Sequence, residues 1–150
     1  MPEHPFVPAD FAVPGGLATA LFRLEPLGPE HNERDYAAWS SSIDHIHASP
    51  GFEAWRWPHE MTIEENLRDL EGHARDFVNR TGFTYSVLDG DDVIGCLYIY
   101  PDREGDADAR ARSWVRADRA DLDLPLRRAV HDWLEAAWPF ERVEYDGLDR

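Results

Sequence analysis

The stretch that most narrows what this chain can fold into is FTYSVLDGDDVIGCLYIY, residues 83–100. Two apolar runs rich in aromatic and β-branched residues flank the pair Asp89-Gly90. Asp-Gly between two such runs signals a tight hairpin, because glycine accepts the positive φ that the turn demands. The spacing predicts strands over 83–88 and 93–100. A polar loop, PDREGDAD, then leads to a third run, ARARSWVRA at 109–117, which extends the hairpin into an antiparallel meander.

The flanking segments can be read around that meander. Residues 1–16 carry four prolines, Pro2, Pro5, Pro8 and Pro14, so they cannot be helical and read as an extended arm. Phe6, Val7, Phe11 and Val13 give the arm something to bury, on its own domain or on a neighbouring subunit. The rest, 17–150, reads as one domain. LATALFRLEPL, 17–27, is a first strand ended by Pro26 and Pro29. A helix follows from Asn32 or Glu33 to His47, with Tyr36, Trp39, Ile43 and Ile46 on one stripe. Thr62 and Glu65 form a capping box for a second helix, whose face carries Ile63, Leu67, Leu70, Ala74, Phe77 and Val78. A last helix starts near Pro125 with Leu126, Ala129, Val130, Trp133, Leu134 and Ala137 in phase. A final strand covers 141–147. The order β-α-α-β-β-β-α-β predicts an α+β (α/β) fold: a mixed, mostly antiparallel sheet flanked by helices. The closing β-α-β step implies one parallel pair through a right-handed crossover.

Charge removes several function classes. Among 150 residues, 30 are acidic and 15 basic, for a net charge of −15 and a pI near 4.7. Nucleic acid and anionic membrane surfaces require clustered cations, so neither is an expected partner. Every basic residue is Arg, which rules out a lysine Schiff base or P-loop lysine. Cys96 is the only cysteine and sits in an apolar strand, so it reads as a core thiol. His45 and His47 are two apart on a helix and point in different directions, with no third ligand at useful spacing, so no metal is expected. No apolar run approaches a membrane span, and the acidic, proline-rich start is unlike a signal peptide. A cytoplasmic protein is the expectation.

With these residues in this order, the chain resembles the GNAT superfamily of acyl-CoA-dependent N-acetyltransferases. Leu17, Thr19, Phe22, Leu24, Pro26 and Leu27 resemble the opening strand of the branch containing ribosomal-protein N-terminal acetyltransferases. DDVIGCLYIYP and ARSWVRAD resemble the family's central hairpin and its cofactor-lining strand. The resemblance implies that the strand holding Trp114, Val115 and Arg116 splays from its parallel neighbour, that the arm of acetyl-CoA enters the gap, and that the next loop wraps the pyrophosphate at a helix N-terminus. Arg119 stands at the first position of the family's loop motif. Leu122 and Leu124 occupy its two glycine positions, and Pro125 removes one N–H donor. Asp121 or Asp123 can cap the helix in place of a phosphate. Arg116, Arg119, Arg127 and Arg128 are cations close to the junction. The family usually continues past the final strand with a further helix and two strands.

The acceptor implied by the resemblance is an amine of a small molecule or peptide, and the acidic surface favours a cationic one. Trp55, Trp57 and His59, with Tyr98, are the candidate acceptor-pocket residues, although two loop tryptophans are equally explained as anchors. Glu144 and Tyr145 are the candidate catalytic groups, although solvated strand residue is the better account of Glu144. Two functions stay open. One is acetyl transfer from acetyl-CoA to an amine. The other is a non-catalytic GNAT-like binding or assembly module, dimeric through its arm or an open sheet edge.

Overall fold

The computed structural model describes residues 5–148. Pro2 and the rest of the first four residues of the predicted arm, and the last two residues of the predicted domain, lie outside the described residues. The elements are β1 (Leu17–Ala18), β2 (Arg23–Pro26), α1 (Asn32–Ser40), α2 (Ile43–His47), α3 (Ile63–Asn79), β3 (Phe83–Asp89), β4 (Asp92–Pro101), β5 (Ala109–Val115), α4 (Asp123–Ala137) and β6 (Val143–Tyr145). Short 3₁₀ turns at Pro29–His31 and Ala117–Leu122 lead into α1 and α4. The six strands form one sheet in sequence order, antiparallel throughout except for the β5–β6 pair.

Several boundaries differ from the sequence expectation. The first strand is instead a small hairpin, turned at Thr19, whose hydroxyl accepts from the Leu21 and Phe22 amides. The first helix breaks at Ser41–Ser42, although its apolar stripe is as read. Ser42 is buried and its hydroxyl accepts the Ala117 N–H at 2.9 Å, so it ties the break to the end of β5. Val78, at the edge of the α3 stripe, is 79% exposed. The capping box of α3 is present in both directions, Glu65 N–H to Thr62 Oγ1 at 3.1 Å and Thr62 N–H to Glu65 Oε1 at 2.9 Å, which contributes about 1 kcal/mol. The third meander strand stops at Val115, α4 begins at Asp123, and the last strand is only three residues long.

The arm packs on its own domain. Phe6 stacks on Phe83 and Phe140, Phe11 meets Trp138, and Arg80 donates to the Pro8 and Phe11 carbonyls. It completes a core between the sheet and α4 that includes Ile94, Leu97, Ile99, Val115, Leu126, Val130 and Trp133. The second core lies on the opposite face, where Trp39, Ile46, Phe52 and Leu70 cover Cys96 and Trp114. Strand alternation therefore gives β5 two faces. Ala109, Ala111, Ser113 and Val115 lie towards α4, and Arg110, Arg112 and Trp114 towards α1–α3.

Candidate active site

Two irregularities shape the sheet where a ligand can enter. In β4, Val87 pairs with Gly95 while Leu88 pairs with Val93, so Ile94 is the extra residue of a β-bulge. Its carbonyl accepts the Arg116 N–H at 2.8 Å. Between β5 and β6 the parallel ladder runs only through Ala109↔Val143, Arg110↔Glu144 and Ala111↔Tyr145. It closes with Asp146 N–H to the Ala111 carbonyl, and Gly147, at φ +86°, turns the chain away. From Arg112 to Val115 the strand has left its parallel neighbour. All three residues of β6 are thus paired, and the gap beside Arg112 to Val115 opens where β6 ends rather than where two paired strands splay.

The wedge is filled from within. Arg127, in the second turn of α4, is 1% exposed and reaches both strands. Its Nη2 donates to the Ser113 carbonyl at 3.2 Å, its Nη1 to the Asp146 carbonyl, and its Nε to Asp123 Oδ2 at 3.0 Å. A Cβ at position 147 would stand 2.6 Å from Nη1, so glycine there makes room for the guanidinium. Tyr145 adds a second link, its hydroxyl 2.6 Å from Ser113 Oγ, and burial pushes that phenol's pKa upward. The peptide groups expected to be unpaired are in part occupied by the protein's own side chains.

The other expected cofactor residues are scattered in role. Trp114 and Val115 are fully buried, in opposite cores. Arg116 makes a two-point pair with Asp118, Nε to Oδ1 at 2.9 Å and Nη2 to Oδ2 at 3.0 Å. Arg119 pairs with Asp89 at 3.1 Å. Leu122 is buried beneath the turn while Leu124 is 45% exposed. Neither Asp121 nor Asp123 caps α4. The N-cap is Leu122 without a side-chain bond, and Asp123 is the first helical residue, committed to Arg127. Glu144 is half-buried on β6.

On the α1–α3 face lies a cavity of about 590 Å³. Trp55, Trp57 and Tyr98, three of the four candidate acceptor residues, line it together. His59 does not; it is exposed, with Nδ1 at 3.0 Å from the Glu60 carbonyl. The tryptophans also pack: Trp57 meets Trp39, Phe52 and Trp114, and the Arg112 guanidinium lies 5.0 Å from the Trp55 ring centre. Tyr98 accepts the Trp114 indole N–H at 3.0 Å. Arg110 and Arg112 form the rim. Both contact the Asp146 carboxylate, Arg110 Nε at 3.2 Å and Arg112 Nε at 2.9 Å from Oδ2. Asp146 thus joins cavity and wedge: its carboxylate takes the two rim arginines and its carbonyl takes Arg127.

Sequence reading did not single out the polar lining. Asp35, Asn66, Asp69, His73 and Asp76 all face the cavity. Asn66 is fully engaged: Trp39 Nε1 donates to its Oδ1 at 3.0 Å, and its Nδ2 donates to Asn32 Oδ1 at 2.9 Å and Asp35 Oδ2 at 3.1 Å. Asp76 accepts the Tyr100 hydroxyl at 2.8 Å. Asp35 is 4% exposed, and burial raises its pKa to about 6. A signal was available: Asp35 stands four residues before Trp39 on the stripe that turns inward.

The arrangement of strands and helices as a whole matches solved structures. Among solved structures, a ribosomal-protein-S5-alanine acetyltransferase from Vibrio fischeri superposes with a TM-score of 0.66 at 14% identity, covering 87% of this chain and 72% of that one. This chain has the GNAT fold. The RimL ribosomal L7/L12 alpha-N-protein acetyltransferase matches with a TM-score of 0.60 at 12% identity, over 80% of this chain and 65% of that chain. The microcin C7 self-immunity acetyltransferase MccE, solved with acetyl-CoA and AMP, gives 0.60 at 12%, over 83% and 69%. The chain thus spans slightly less than two thirds of the RimL length. No family model matches the sequence, and no curated protein does. Among the described residues, no helix is long and apolar enough to cross a membrane.

Proposed function

We propose that this GNAT-fold protein is an N-acetyltransferase that moves an acetyl group from acetyl-CoA to a cationic amine of a small molecule or peptide. The observation that carries the reading is the pairing of a gap beside β5, past the end of β6, with a cavity on the other face of the same strand. Such an arrangement lets a thioester arm and an amine approach from two sides, and holding them there supplies much of the rate. MccE with acetyl-CoA, and RimL with coenzyme A, support the choice of cosubstrate. The ribosomal-protein acetyltransferases support a peptide or protein amine. Aromatic walls and carboxylates in the cavity support a cation, through ring quadrupoles and direct charge.

The wedge fits an acyl-CoA arm only with Arg127 turned out. With Arg127 in place, the Ser113 carbonyl already has its donor. Ser113 and Asp146 would present backbone carbonyls to the arm once the guanidinium leaves. When bound, the thioester would supply the activated acyl group. A cytoplasmic location belongs to the same reading, since Cys96, the sole cysteine, is buried and reduced chemistry suffices.

Arg127 itself favours a second reading, a GNAT-fold binding module that has given up acyl-CoA. Incubation with acetyl-CoA and a panel of primary amines, followed by mass spectrometry, separates the two. An added acetyl mass on a cationic amine is the expected result. No transfer by the protein or by Arg127→Met, with no acetyl-CoA binding by either, would leave the second reading standing.

A further inference from the structure

We infer that Asp35 is the group in the aromatic cavity that holds the ammonium of an amine ligand and accepts its proton. The inference deepens the acceptor side of the proposed function but rests on the cavity alone. Asp35 Oδ2 takes one hydrogen bond, from Asn66 Nδ2, and Oδ1 takes none from the described side chains. Among the described residues no cation pairs with it: the rim arginines contact Asp102, Glu104 and Asp146. A buried carboxylate without a counter-charge is costly, and a ligand ammonium relieves that cost.

The surroundings suit proton transfer as well as binding. The groups facing Asp35 are Asn66 and Asp69 on α3 and Cys96 and Tyr98 on β4. None carries positive charge. Burial raises the pKa of Asp35 and lowers that of a bound ammonium, which narrows the gap that their mutual attraction widens. In the step, an ammonium N–H bond breaks and a carboxyl O–H bond forms, leaving a neutral amine and a neutral acid. Trp55, Trp57 and Tyr98 accommodate an apolar body on the amine.

The test uses 2-phenylethylamine as the probe, with Trp55 and Trp57 as fluorescence reporters, and 2-phenylethanol as its uncharged counterpart. Saturable binding of the amine is expected, weakened at least tenfold in Asp35→Asn and less than threefold in Asp69→Asn. The alcohol should bind both proteins alike. Amine affinity of the unmodified chain should fall as pH drops through about 6, and that dependence should vanish in Asp35→Asn; the circular dichroism of the variant checks its fold. Equal amine affinity in Asp35→Asn, an unchanged pH profile or no saturable binding at millimolar amine would each overturn the inference. Amine binding through Asp35 without acetyl transfer would retire the transferase reading and leave this one intact.

Discussion

The two faces of β5 present opposite solutions to the same problem of polar groups inside a protein. At Ser113, on the α4 face, the gap past the end of β6 is bridged by Arg127 and Tyr145, and each guanidinium nitrogen has an acceptor. Across the sheet, Arg110 and Arg112 border a cavity whose buried carboxylate, Asp35, has a single neutral donor. The first joins a cation to its counter-charge, although Asp123 Oδ1 is buried without a partner; the second leaves Asp35 with no counter-charge among the described residues. Polar groups satisfied internally make a structural joint, whereas those left short of partners are retained at a cost that a ligand can offset. In the GNAT fold of this chain, the wedge beside β6 is the closed side and the aromatic cavity the open one.

Substitutions can break or sharpen that contrast. The largest effect is expected at Gly95, which both faces share, since a Cβ there would stand 2.3 Å from the Trp114 carbonyl oxygen. Gly95→Ala should cost roughly 3 kcal/mol in urea unfolding, because β4 and β5 must part. A loss below about 1 kcal/mol would mean that the strands are not held so closely.

On the closed side, Asp123→Ala removes the counter-charge of buried Arg127. Breaking a buried pair typically costs about 3–5 kcal/mol; partial exposure of Asp123 reduces the expectation to roughly 2 kcal/mol. On the open side the sign reverses. Asp35 holds its proton more tightly folded than unfolded, with its pKa raised from 3.8 to about 6. Stability therefore falls as pH rises across that window and stays low above it. Asp35→Asn should thus gain stability at pH 8, by about 1.5 kcal/mol against an upper limit of roughly 3 kcal/mol, and show no gain below pH 4. Destabilisation at pH 8 would contradict the burial of an ionised carboxylate. The smallest effect is expected from Trp55→Ala. That ring is 36% exposed, so unfolding should shift by about 0.5 kcal/mol while the fluorescence response to amine diminishes. A large loss of stability would make Trp55 a loop anchor rather than a wall of the site.

The sequence made the meander legible because Asp89-Gly90 and strand alternation are local signals, and the capping box of Thr62 and Glu65 likewise. The break at Ser41–Ser42 was not legible, since its cause is a contact 75 residues away, between Ser42 and Ala117. The same limit governed the site. Loop residues Trp55 and Trp57 and strand residue Tyr98 pointed to the cavity by type and position. Arg127 looked like a phosphate ligand because only the fold shows Asp123 beside it and two strand carbonyls in front of it. Asp35 was hidden by its charge, a carboxylate on the inward stripe of a helix otherwise read for its apolar residues.

Calorimetric titration with acetyl-CoA, comparing the unmodified chain with Arg127→Met and with Arg128→Met, addresses the closed wedge directly. Methionine keeps volume while releasing the Ser113 and Asp146 carbonyls, and Arg128 is the exposed neighbour that should not matter. At least tenfold tighter binding in Arg127→Met, with Arg128→Met unchanged, is the expected result. Equal affinity in all three, or loss of binding in Arg127→Met, would show that the guanidinium does not stand where the cofactor arm must lie.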